Sequence, residues 1–203
     1  MKSKLILLLI FPFCLLSQSI NHSEKLAIKK KVLGLNLKGE IDLRTNESGH
    51  FHRHYDAGFS LPFLDTWSLS IQYRSVFRKK DGQWDLEKRP HATIEKVIVS
   101  DKIKWSLKSR QEYRIRKNRD DALRNRIRIM AKSQNRFFNL KPYIGNEFFY
   151  DMEKNEYNKN WTVFGFDLNK KSFGTPSIYY KYVLDLIDNR WQPSYMLVFK
   201  LSL

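Results

Sequence analysis

From Val32 to the carboxyl terminus, apolar and polar side chains alternate with period two in one stretch after another, and helical spacing is nearly absent. Successive side chains leave opposite faces of an extended chain, so this pattern predicts strands with one apolar and one polar face. The clearest case is "WSLKSRQEYRIRK", Trp105 to Lys117. Trp105, Leu107, Ser109, Gln111, Tyr113 and Ile115 share one face; Ser106, Lys108, Arg110, Glu112, Arg114 and Arg116 share the other. The pattern predicts ten strands, over 32–44, 51–63, 66–78, 90–99, 102–117, 121–133, 139–150, 161–170, 176–186 and 193–203. Segment 22–31, "HSEKLAIKKK", reads as at most a short helical turn.

The connections add an architecture. "TNESGHF", "KKDGQWDLEKR", "NRDD", "MEKNEYNKN" and "LIDNRWQ" are polar and mostly long; the connections between them are mostly shorter. That alternation matches outer-membrane barrels, with long extracellular loops and short periplasmic turns. An even strand number puts both termini on the periplasmic side. Strand length agrees, because crossing an apolar band about 25 Å tall at about 45° takes roughly ten residues. Strands of soluble proteins average about five or six.

Charge decides which face meets water. An Arg at the bilayer midplane of a barrel costs about 2–4 kcal/mol, so turning Lys108, Arg110, Arg114, Arg124, Arg126 and Arg128 to lipid would cost on the order of 10 kcal/mol. Two readings survive. One is a single antiparallel transmembrane β-barrel of about ten strands (8–12), charged inside. The other is a soluble exported barrel with its charges outward and an apolar ligand within. Tyr55, Trp67, Tyr150, Trp161, Tyr179, Trp191 and Tyr195 fall near strand ends, as the aromatic girdles of a membrane barrel would. The last strand keeps its apolar face, Tyr195, Leu197, Phe199, Leu201 and Leu203, up to the final residue. It resembles the terminal signal read by the outer-membrane barrel assembly machinery, with Leu203 where Phe is usual. Both features favour the membrane.

The amino terminus agrees. "MKSKLILLLIFPFCLLSQS" has a charged start, a short apolar run and a small, polar end, the pattern of a secretory signal peptide. We therefore expect a signal peptide over 1–19, an N-terminal periplasmic arm over 20–31 and an outer-membrane barrel over 32–203. The single cysteine, Cys14, leaves with that peptide, which excludes disulfides, thiol chemistry and cysteine metal sites from the mature protein. Net charge is +16 with pI near 9.9, yet export argues against nucleic acid as the partner.

Five stretches, "LKSRQEYRIR", "LRNRIRI", "LKPYIGNEFFYD", "WTVFGFDLN" and "YMLVFKLSL", resemble in order and spacing a bacterial barrel family catalogued as domain of unknown function 2490. The likeness covers roughly residues 66–203. It implies an outer-membrane location and says little about activity.

The candidate chemistry centres on the basic ladder. Lys104, Lys108, Arg110, Arg114, Arg116, Arg124, Arg126, Arg128 and Lys132 share the inner face of two neighbouring strands with a lone acid, Glu112. Acids of suitable parity stand elsewhere: Glu40, Asp42, Asp56, Glu147, Asp167 and Asp185. Such a ladder is either a salt-bridged plug in a narrow barrel or a lining that passes small anions. His50, His52 and His54, spaced at i and i+2 before Asp56, are candidate ligands for a divalent metal at the extracellular rim. "NHSE" sets His22 beside Ser23, the weak basis for a barrel lipid hydrolase. No cofactor is expected. The expected protein is a monomer, with membrane lipid and the assembly machinery as partners, acting structurally or as a narrow anion-preferring channel.

Overall fold

The computed structural model describes residues 20–117 and 120–203. The expected signal peptide over 1–19, with Cys14, lies outside the described residues. Eleven strands follow one another: β1 (Ile20–Val32), β2 (Leu35–Asn46), β3 (Gly49–Leu64), β4 (Trp67–Lys80), β5 (Gln83–Val99), β6 (Ile103–Arg116), β7 (Ala122–Ser133), β8 (Lys141–Asp151), β9 (Glu156–Asp167), β10 (Thr175–Ile187) and β11 (Arg190–Ser202). Each pairs with its sequence neighbours, and β1 closes the sheet on β11 into a barrel. Tight turns need left-handed backbone, which Leu33-Gly34, Asp81-Gly82 and Asp188-Asn189 supply with φ between 49° and 80°.

Residues 20–31, expected as an arm with a helical turn, instead form β1. Ser23 and Lys25 turn inward, while Leu26 and Ile28 turn outward beside Ile41 and Gly39 of β2. His22 and Glu24 on the outer face, and the run Lys29-Lys30-Lys31, hide this alternation in the sequence. The extra strand changes the closure. A meander with an odd number of strands brings its first and last strands together in the same direction. β1 and β11 accordingly pair in parallel, from Ile20 opposite Tyr195 to Ala27 opposite Ser202. Leu203 completes the seam: its N–H donates to the Ala27 carbonyl at 2.8 Å, and its own carbonyl accepts from Lys29 N–H at 3.3 Å.

The expected contrast between long and short connections also fails. Gln83–Arg89 and Glu156–Asn160, read as loops, are strand. The longest connections, over 134–140 and 168–174, lie at the same end as the carboxyl terminus. Both misread stretches are strongly polar because their inward residues serve the lumen, which makes strand resemble loop.

Burial separates the two faces. Leu107, Ile127, Ile129, Ile144, Phe164, Ile178 and Phe199 stand exposed on the outside, whereas Asp42, Asp56, Glu87, Arg89, Glu112, Arg124 and Arg126 are buried. The core of this fold is its lumen, and the lumen is ionic. A soluble barrel with its charges outward is thereby excluded.

Candidate functional site

Inward parity comes from the pleat, and cross-strand register then places acid beside base. Glu112 of β6 lies opposite Arg124 of β7 and His91 of β5. Its carboxylate, 0 % exposed, accepts from Arg124 Nη2 and Arg126 Nη1, both at 2.5 Å, with Arg110 Nη1 at 3.6 Å. Arg126 also donates to Glu147 on β8, from Nη2 at 2.8 Å and from Nε at 3.1 Å. Arg114 and Arg89 share Glu87, with Nε distances of 2.5 and 2.9 Å. Arg74 Nη2 meets Asp56 at 2.5 Å. Asp42 holds Lys25 at 2.8 Å and Arg44 at 2.9 Å, and accepts from Ser23 Oγ at 2.8 Å.

Glu112, Glu87 and Asp42 each serve more than one cation, which suits the planar fork of Arg. An isolated buried charge would cost several kcal/mol, and shared partners offset that cost. Aromatic rings lie against these cations. The guanidinium groups of Arg124 and Arg126 lie over Phe149 at 5.1 and 4.6 Å, and Lys181 lies over Trp161 at 4.1 Å. Trp161 and Tyr179 therefore point inward and do not belong to an outer girdle, while Tyr55, Tyr150 and Trp191 face out. Paired charges and rings line the middle zone of the lumen.

Toward the end that carries Leu203, the lining changes from arginine to lysine. Lys108 pairs with Glu95 at 3.0 Å, and Lys132 with Asp167. Lys108, Lys132 and Lys200 retain side-chain exposures of 24, 32 and 29 %. Lys104 is exposed. These ammonium groups are more solvated than the paired charges of the middle zone, and they form a basic vestibule below it.

Of the ladder residues, Arg110, Arg124 and Arg126 meet at Glu112, and Arg126 reaches on to Glu147; Arg114 pairs instead with Glu87, and Lys108 with Glu95. Arg116 donates to the backbone carbonyl of Asp120 at the rim. Arg128 stands opposite Glu147 in register, but its Nε is buried with no hydrogen-bond partner. Lys181, 3 % exposed, has no carboxylate in ion-pair range among the described residues. Sequence reading missed Glu87 and Arg89, the signal being Trp84 and Leu86 alternating with Asp85 and Glu87. It also passed over Arg74 and Lys181.

The expected rim metal site takes a different form. His52 and His54 are buried inside the wall, with His52 Nε2 3.4 Å from His54 Nδ1 and His54 Nε2 3.2 Å from Glu40. His50 Nε2 is 3.0 Å from the backbone oxygen of His52. Among the described residues, no group of three or more His, Cys, Asp or Glu is placed to hold a metal ion. The imidazoles alternate inward with the ion pairs and are used there. Nor do His22 and Ser23 form a dyad: as neighbours in a strand they leave opposite faces, His22 exposed and Ser23 bonded to Asp42.

Comparison with known proteins agrees with this geometry. A solved structure titled "NanC porin structure in rhombohedral crystal form" superposes with a TM-score of 0.55 at 10 % identity, covering 91 % of this chain and 99 % of that one. That likeness is one of fold. No curated protein matches. The family described as "Protein of unknown function (DUF2490)" matches residues 21–183, most of the eleven-stranded wall and all of the network around Glu112; the chain belongs to that family.

Proposed function

We propose that this protein is a small outer-membrane β-barrel forming a narrow, anion-preferring passage, constricted but not closed by an arginine–carboxylate plug. One observation carries the reading: the inner faces of β6 and β7 hold Lys104, Lys108, Arg110, Arg114, Arg116, Arg124, Arg126, Arg128 and Lys132 against Glu112 alone. Carboxylates from other strands neutralise part of that charge. Arg128 and Lys181 are left with a surplus, and the vestibule lysines are left solvated. A cationic lining of this kind lowers the barrier to anions and raises it to cations. The apolar outer face and the porin-like fold support the membrane location, with the barrel assembly machinery reading the Tyr195–Leu203 strand. Orientation follows, with Leu203 and the lysine vestibule at the periplasmic end.

The test is conductance of the refolded protein, lacking residues 1–19, in planar bilayers under a salt gradient. Small conductance with an anion-selective reversal potential is expected, rising in Glu112→Gln as the plug loosens. A cation-selective reversal potential would sink the proposal. So would silence from both proteins once heat-modifiable gel mobility shows that they are folded.

A further inference from the structure

The outer wall carries a second basic feature, which the lumen does not explain. Arg53 occupies an outward position on β3, four residues from the β2–β3 hairpin. Its guanidinium lies over Phe77 at 5.0 Å and over Trp84 at 4.6 Å, and its Nε is buried without a hydrogen-bond partner. Arg53 stands directly opposite Phe77, with Lys79 two residues further along β4 on the same face, a diagonal spacing of about 7–8 Å. Lys88 of β5 stands opposite Ser75, so it lies diagonal to Phe77 on the other side. Lys79 and Lys88 are exposed. None of the three cations has an ion-pair partner among the described residues. Glu24 is the one carboxylate at an outward position on β1 through β5, and it lies two strands from Arg53, across Leu43.

The level of this triad matters. Tyr55, Tyr73 and Tyr113 are outward and exposed, marking an aromatic belt, with Ile71, Ile94 and Leu107 below it. Arg53, Lys79 and Lys88 lie at or beyond that belt, where a bilayer presents headgroups and not acyl chains. Cations left unpaired there, one held rigid by two rings, are arranged to take a phosphate. On the outer face of β3 through β5 the opposite rim has no such cluster: Lys96 stands over Trp67 at 5.1 Å, and the exposed Lys29, Lys30 and Lys31 lie at that rim on β1.

We infer that Arg53, Lys79 and Lys88 form a binding site on the outer wall for the phosphate groups of an outer-leaflet glycolipid of the lipid A class. The orientation rests on the proposed function above, which puts this rim, opposite Leu203, at the cell surface. Arg53 supplies a fixed fork, and the two lysines supply mobile point charges that close on the same headgroup.

The test uses protein extracted from outer membranes in detergent, its fold confirmed by heat-modifiable mobility, and native mass spectrometry with three probes: bisphosphorylated lipid A, the same lipid A dephosphorylated, and phosphatidylglycerol. We expect adducts with phosphorylated lipid A to exceed those with either other probe at least tenfold. That excess should fall about tenfold in Arg53→Gln/Lys88→Gln and persist in Lys96→Gln. Equal binding of dephosphorylated lipid A, or an unchanged excess in the double variant, would overturn the site. Phosphatidylglycerol binding as well as lipid A would overturn its assignment to the outer-leaflet glycolipid. Recovery in the soluble fraction would instead overturn the membrane reading, before any lipid is added.

Discussion

Arg126 Nη1 and Glu112 Oε1 meet at 2.5 Å in the middle of the lumen, on adjacent strands and two residues out of register. The offset lets Arg126 bridge Glu112 and Glu147, which joins β6, β7 and β8 through their side chains as well as their ladders.

The first prediction follows from that bridge. Glu112→Gln keeps shape but removes the negative charge that faces Arg124, Arg126 and Arg110. Removing one partner of a buried pair costs about 3–5 kcal/mol, because the remaining charges stay desolvated. Urea unfolding, followed by loss of heat-modifiable mobility, should show a decrease of that size. A change below about 1 kcal/mol would mean that water already screens the network.

Lys181 should behave in the opposite way. It is buried against Trp161 with no carboxylate in ion-pair range among the described residues, so its charge is poorly compensated. A buried ionic group replaced by an apolar one of similar volume is often neutral or stabilising. Lys181→Met should unfold at equal or higher urea than the wild type while weakening anion preference in the bilayer assay. A marked loss of stability would show that the cation–π contact outweighs desolvation.

How much of this was legible in the sequence depends on which face a residue serves. The alternation of Trp105 to Arg116 and of Leu123 to Lys132 gave the strands, their inward parity and the ladder directly. It did not give partners, because which acid meets Arg126 depends on register and on side chains folding across the lumen. Strands were hidden wherever the outward face also turned polar. In β1, His22 and Glu24 occupy outward positions, and in β5 Lys88 does. Period-two reading rewards contrast between faces, and these stretches have little. Closure was hidden for a different reason: whether β1 runs with or against β11 depends on the total strand number, which no local pattern carries.

Close approach of backbones at Gly165 gives a third prediction. A Cβ there would collide with Tyr179 and with the backbone of Ile178 on β10, whereas one at Gly39 would meet only the Asp56 carbonyl oxygen at 3.9 Å. Gly165→Val should therefore prevent β9 and β10 from pairing and abolish heat-modifiable mobility. Gly39→Ala should fold like the wild type. Normal folding of the Gly165 variant would mean that the inner wall yields more readily than its packing implies.

The parallel seam makes the last prediction, and it can be tested by chemistry. Leu26 and Leu201 are direct partners on the outer face of β1 and β11. Neighbouring strands lie about 4.8 Å apart, within the Cα separation of roughly 4.4–6.8 Å that a disulfide spans. Cys14 is the sole cysteine of the sequence, so protein refolded without residues 1–19 has no competing thiol. Leu26→Cys/Leu201→Cys should oxidise within one chain and yield a single linked peptide pair on digestion. His22→Cys/Leu201→Cys should not, because their partners are Leu197 and Leu26, which sets the two positions four residues out of register. Were β1 a free arm, both pairs would cross-link weakly and alike. Were it antiparallel to β11, at most one register could bring either pair together, and shifting both cysteines of the linked pair by the same four residues in the same direction along each chain, from Leu26 and Leu201 to His22→Cys/Leu197→Cys, would lose the link. In the parallel seam His22 and Leu197 remain direct partners and the link persists. That persistence distinguishes a strand that closes the barrel from one that merely lies against it.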